Sequence, residues 1–507
     1  MVSLPPNKGV IKMNLENKLL NIMKKGAPPR FILPLVNMAL KNAKTRKALL
    51  EAIEKATYKM SFDEQGPSRP DKLREDRYYM SRALLASLER AFASNSISRQ
   101  SVKKLTDVFL SKIFVQGIHT RRAFYEERGF RPPGFITISP TNVCNLKCKG
   151  CYAGDIYKPH TLDYEVFDNI VSDMKKEFAA HFFVISGGEP FMYKSNGKTI
   201  MDILEKHNDS YFLCYTNGTL ITKDKAKRLA ELGNFTPAIS VEGFEKETDE
   251  RRGKGTFKNI METMDSLRET GVLFGISVTP CSHNADLLLS DEFLNFFFKE
   301  KGIFYGWYFQ YMPIGRKPSM DTMVTCEQRI KMYRTIWEKV VKEKLFIADF
   351  WNSGTASDGC MAAGRGGGYF YIMWDGTITP CVFIPFVDKE YNNIYEVYNR
   401  GETLTDVIKS SFFTAIRKWH SSYWLDQPKE KCGNLLAPCI IRDNSKVFYK
   451  IVKAVGAKPV DEGAETYLSF IEQGKMPGYN TEYRKLAEPI WEQEYLRKEI
   501  AQVIPKD

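Results

Sequence analysis

From residue 135 onward the chain alternates short apolar runs with longer stretches in which apolar residues recur every three or four positions. The runs at 135–138, 182–185, 211–216, 238–241, 274–279 and 306–311 are rich in Phe, Ile, Val and Tyr, which predicts six strands. The segments between them, 164–178, 198–207, 223–232, 258–270 and 287–299, have helical length and amphipathic spacing. Strand followed by helix, repeated, is the pattern of a parallel sheet. Six such units predict an α/β fold, a partial (β/α)6 barrel of the TIM type, whose chemistry gathers on loops beyond the C-terminal ends of its strands.

Ahead of this unit, 41–60 and 101–124 carry helical spacing among basic residues, with Gln65-Gly-Pro-Ser-Arg-Pro70 as a loop between them. Arg131-Pro-Pro-Gly134 ends the helical region, because two prolines and a glycine cannot continue a helix. After the barrel, Tyr369 to Cys381 reads as a hairpin turned by Asp375-Gly376. The expected organisation is a basic helical domain at 1–133, the barrel at 134–320, a Cys-containing domain at 321–450 and a helical tail at 451–507.

At 507 residues and 43% hydrophobic, the chain is long enough for two or three packed cores and is not a disordered protein. No apolar run reaches the roughly eighteen residues that cross a bilayer. The opening Met1-Val-Ser-Leu-Pro-Pro-Asn-Lys8 lacks the charged-then-apolar pattern of a secretory signal, so the ten Cys are expected as free thiols in the cytoplasm. Charge is uneven. Residues 1–140 hold 26 Lys and Arg against 12 Asp and Glu, a net +14 against +12 for the whole chain, so residues 141–507 carry −2. That asymmetry points to an anionic partner. An anionic membrane surface is the expected one, with 31–40 inserting shallowly, and no nucleic acid is expected.

Candidate chemistry starts directly after the first strand, in Ser139-Pro-Thr-Asn-Val-Cys-Asn-Leu-Lys-Cys-Lys-Gly-Cys-Tyr152. Cys144, Cys148 and Cys151 on one tight loop can hold three irons of a four-iron, four-sulfur cluster and leave the fourth iron open. Zinc is the alternative, but it prefers four closed ligands, and no His or fourth Cys lies nearby. With Ser186-Gly-Gly-Glu-Pro190 after the second strand, this loop resembles the radical S-adenosylmethionine (SAM) superfamily. The resemblance implies an enzyme in which the open iron is chelated by SAM and a 5′-deoxyadenosyl radical takes hydrogen from a substrate. Where relatives often carry an aromatic or apolar residue before the third Cys, this chain has Gly150, and Tyr152 is expected to face the adenine instead.

By the same resemblance, Gly187 and Gly188 offer bare backbone to the methionyl ammonium and Glu189, followed by Pro190, adds charge there. Asn217 stands at the third strand end, Ser240 and Glu242 are expected to share ribose and ammonium, and Arg252 to hold the carboxylate. Gln310 to Arg316 is the expected substrate-facing wall, and no catalytic residue is named beyond the cofactor ligands. Cys360, Cys381, Cys432 and Cys439, with Gly376 before Cys381, resemble the SPASM and twitch domains and imply one auxiliary 4Fe-4S cluster, with zinc as its rival. The basic N-terminal region leads to a radical enzyme that couples carbon atoms of lipid tails, peripheral on the inner face of the membrane. A fainter similarity of layout, to enzymes that make membrane-spanning lipids, goes the same way. The alternative is a peptide-modifying enzyme acting on a ribosomal precursor. Either needs a reductant such as ferredoxin or flavodoxin.

Overall fold

The computed structural model describes residues 43–63, 69–153 and 158–497, so the 31–40 segment lies outside it. All six expected strands are present: β1 (Phe135–Ile138), β2 (Phe182–Ile185), β3 (Tyr211–Thr216), β4 (Phe235–Val241), β5 (Gly275–Val278) and β6 (Gly306–Tyr308). They pair in chain order, every pair parallel. A seventh, β7 (Ile347–Asp349), joins β6 in parallel. The hairpin turned at Gly376 consists of β8 (Tyr371–Ile372) and β9 (Ile378–Thr379), and β8 lies parallel to β1 on its free side. The sheet order is therefore β9-β8-β1-β2-β3-β4-β5-β6-β7.

Side chains on successive residues of a strand point to opposite faces. Ile136, Ile138, Phe183, Ile185, Phe212, Ile239 and Ile276 point outward into a fully buried layer beneath the helices. Phe135, Thr137, Phe182, Val184, Leu213, Tyr215, Ser240, Ser277, Trp307 and Ala348 instead line one shared cavity. One face of seven consecutive strands can surround a single space only if the sheet is curled, so the parallel sheet is a partial barrel. The chain from β7 to β8 spans its open side.

The N-terminal helices belong to this barrel. α1 (Ala43–Asp63) pairs with α2 (Asp71–Ala93), and α2 packs on the short helix Gly354–Ser357 of the β7 to β8 connection, with Met80 reaching the cavity. Its basic residues are used in docking. Arg69, just before α2, and Arg77 each lie 3.0 Å from Asp358. Lys72 pairs with the buried Asp76 and covers the rings of Trp337 and Tyr495. Asp76 also accepts from the Tyr495 hydroxyl at 2.8 Å. α3 (Arg99–Leu105), capped by the Ser98 hydroxyl, starts against Gly271, whose carbonyl accepts from the Ser98 amide at 2.8 Å. Beyond it Phe109 packs on Phe182 and Tyr211, the first residues of β2 and β3, so this helical run floors the barrel. Among the described residues, no helix is long and apolar enough to cross a membrane.

Candidate active site

The loop after β1 is held from two sides. Asn142 donates to the Lys158 carbonyl at 2.8 Å and accepts from the His160 amide at 2.8 Å, while Thr141 meets Thr161 at 2.9 Å. From the other side the Gly188 amide donates to the Thr141 carbonyl and the Glu189 amide to the Val143 carbonyl, each at 2.8 Å. A Cβ on Gly188 would stand 2.4 Å from the Asn142 and Val143 carbonyl oxygens, and one on Gly187, at φ +123°, 2.5 Å from that of Thr141. Only glycine allows the two loops to meet. The Gly188 N–H is thus engaged by the Cys loop.

Cys144, Cys148 and Cys151 all line the cavity mouth as free thiols. Cys144 Sγ accepts from the Leu146 amide at 3.4 Å, and Asn217 lies 3.9 Å away, where it also donates to Asn145 Oδ1 at 2.8 Å. Burial pushes the Cys144 thiol up to about 11, and raises that of Cys148 against the opposing pull of Arg252. Backbone N–H groups aimed at sulfur are the donor set that cluster thiolates use, so the loop fits a cluster. Among the described residues no three His, Cys, Asp or Glu side chains converge closely enough for a single metal ion, which is the geometry that a lone zinc with sulfur at about 2.3 Å would require.

Of the expected cofactor-binding residues, Tyr152, Gly187, Gly188, Asn217, Ser240 and Arg252 line the cavity, whereas Glu189, Pro190 and Glu242 lie behind it. Glu189 is 0% exposed. It accepts from Thr216 Oγ1 at 2.8 Å, the Asn217 amide at 2.8 Å and the Phe191 amide at 3.1 Å. Burial raises its pKa and those bonds oppose the rise. Its carboxylate ties the end of β2 to that of β3, because a buried carboxylate takes the donors within reach. Pro190 opens a single turn, Pro190–Met192.

Glu242 is likewise engaged. It receives Arg252 at 3.0 Å and 2.5 Å and Arg251 at 2.6 Å. Burial disfavours the charge of Arg251, but Glu242 outweighs it and raises the pKa. Both Arg side chains line the cavity, and Arg252 lies 3.9 Å from Cys148 Sγ. Two cations on one carboxylate leave a positive balance beside the thiols.

The expected wall from Gln310 to Arg316 makes contacts that its sequence did not show. Tyr311 fills the space in front of Gly150, its ring 3.6 Å from where a Cβ would stand. Arg316 donates to the Cys148 carbonyl at 3.1 Å, so the expected wall from Gln310 to Arg316 both lines the cavity and clasps the Cys loop. Gln310 is fixed at both ends, donating to Asp349 at 2.7 Å and accepting from Arg442 at 2.9 Å. Beyond the mouth lie Leu213, Tyr215, Trp307, Phe309, Phe346, Phe350, Met361, Val382 and Phe383, in a cavity of about 540 Å³.

Cys360, Cys381 and Cys439 gather at a second, smaller cavity that shares Phe350, Ser357, Met361 and Phe383 with the first. Cys432 is not part of it and lies near Asp358 and Arg69. Its sulfur donates to the Gly433 carbonyl at 3.6 Å.

Comparison with known proteins matches residues 138–286 to the radical SAM superfamily. Residues 138–286 form a radical SAM domain. Members of the superfamily are enzymes of radical chemistry that use a 4Fe-4S cluster and S-adenosylmethionine, and the strand-end loops of this domain line the cavity. The Fe-coproporphyrin III synthase of Methanosarcina barkeri is 33% identical over 142 residues, 27% of this chain and 35% of that protein. The sporulation killing factor maturation protein SkfB of Bacillus subtilis is 29% identical over 157 residues, 30% of this chain and 37% of that protein. The chain thus spans little more than a third of the length of these relatives. The crystal structure of Streptococcus suis SuiB bound to precursor peptide SuiA is 19% identical with a TM-score of 0.49, covering 64% of this chain and 75% of that one.

Proposed function

We propose that this radical SAM enzyme removes a hydrogen atom from an unactivated carbon of a peptide side chain held in the apolar half of the cavity. The observation that carries it is that lining: beyond the strand-end loops the walls are aromatic and aliphatic, so the reacting group is apolar. Support for a peptide comes from relatives named as maturation proteins, SkfB among them. In this reading Cys144, Cys148 and Cys151 bind the cluster, and Cys360, Cys381 and Cys439 an auxiliary one. When bound, cluster and cofactor supply a 5′-deoxyadenosyl radical. The chain's own residues orient and shield. Arg252, with Nε and Nη2 on Glu242, offers Nη1 to the methionyl carboxylate, Tyr152 and Tyr311 flank the adenine, and the aromatic wall excludes water from the substrate radical.

A lipid chain is the second reading, favoured by the same apolar lining. Its membrane-binding part is weaker than the charge balance suggested, since Arg69, Lys72 and Arg77 are engaged within the protein. The test is anaerobic turnover with two substrate pools, peptides or lipids from cells grown on deuterated amino acids or deuterated fatty acids. Deuterium appearing in 5′-deoxyadenosine from the peptide pool alone is the expected result. Transfer from the lipid pool alone replaces the proposal with the second reading.

A further inference from the structure

Three of the four thiols expected at the auxiliary site line one cavity and the fourth lies outside it. Cys381 Sγ accepts from the Phe383 amide at 3.4 Å, and Cys439 Sγ from the Arg442 amide at 3.5 Å. Cys360 shares their cavity, beside the Cys439 thiol. Cys381 and Cys439 are thus placed to accept backbone N–H donors. Cys432 lies outside that cavity, and its thiol donates to the carbonyl of the next residue, Gly433. A further donor enters from the barrel side. The Tyr369 hydroxyl lies 2.9 Å from Cys381 Sγ. The Tyr369 ring stacks on Phe135, centroids 5.0 Å apart at 11°, and lines the substrate cavity. One buried side chain therefore forms part of the substrate wall and touches an auxiliary thiol.

We infer that the auxiliary site is made by Cys360, Cys381 and Cys439, that Cys432 is no ligand, and that Tyr369 is a positioning residue that donates its hydroxyl hydrogen to Cys381 and so sets the site's redox potential. The inference rests on the reading that these thiols hold a second cluster. Hydrogen bonds to cluster sulfurs stabilise the reduced, more negative state and raise the potential. Three thiolates also leave one iron of a four-iron cluster without a Cys.

The experiment uses the full chain, purified and reconstituted anaerobically, with iron counting, electron paramagnetic resonance and redox titration of the second signal. Wild type is expected to hold about eight irons, and single Ala variants of Cys360, Cys381 or Cys439 about four. Cys432→Ala is expected to keep all of them with an unaltered second signal. Loss of about four irons in Cys432→Ala would overturn the ligand assignment, and a wild type with only four would instead remove the second cluster itself. Tyr369→Phe, which keeps the stack on Phe135, is expected to keep its iron and titrate at a more negative potential. 3-Fluorotyrosine at 369, a stronger donor of nearly the same shape, is expected to shift it the other way. An unchanged potential in both, or loss of iron in Tyr369→Phe, overturns the role given to the hydroxyl.

Discussion

Glu189 shows how a residue can be found for one reason and kept for another. Its place in Ser186-Gly-Gly-Glu-Pro190 marks the cofactor loop, yet its carboxylate holds Thr216, Asn217 and Phe191 and does not face the cavity. Hydrogen bonds to a charged group contribute about 1.5–3 kcal/mol each, and Glu189→Gln retains the shape but not the charge. The variant should melt several degrees lower while still assembling the first cluster, as scanning calorimetry and iron content would show; a loss of cofactor affinity with unchanged melting would return Glu189 to the binding surface. Replacing Cys144, Cys148 and Cys151 together by Ala should remove about four irons and abolish 5′-deoxyadenosine formation. The Cys spacing was legible because three ligands lie within eight residues. The partners of Glu189 and Glu242 were not, since they come from loops after other strands, and only the folded barrel brings those loops together.

At the scale of elements, the periodicity located strands and helices closely wherever one face is buried. α4 (Tyr164–Phe178) and α5 (Lys223–Leu232) have the expected bounds, because each lays an apolar stripe on the sheet. β7 escaped notice, being three residues long and identifiable only through its pairing with β6. Charge misled in a similar way: a basic helix reads as a surface for anions, but nothing local shows that Asp358 will meet Arg69 and Arg77. α2 closes the barrel's open side, so Asp76→Ala, which strips a 0%-exposed carboxylate from Lys72 and Tyr495, should destabilise by about 3 kcal/mol or more. Thermal unfolding would measure it, and limited proteolysis should then cut within 71–93 first. An unaltered melting temperature would mean that α2 docks by its apolar contacts alone.

For the whole molecule, the governing feature is that the segment bearing Cys381 also supplies the barrel's outermost parallel strand. Ser139, five residues before Cys144, donates its amide to Ile372 at 2.9 Å and accepts from the Tyr371 hydroxyl at 2.7 Å. Gly376, at φ +84°, makes the hairpin turn, and a Cβ there would stand 2.6 Å from the Tyr395 ring. Gly376→Val should therefore loosen β1 at a distance, and hydrogen exchange at the Thr137 and Ser139 amides should accelerate while β5 stays protected; equal protection in variant and wild type would show that β8 adds nothing to β1. The same pairing imposes an order in time. At translation rates of about 5–20 residues per second, the first Cys loop leaves the ribosome roughly 10–50 s before the strand that will flank it exists. During that interval three thiols stand in a half-built site, without the strand that will flank their loop.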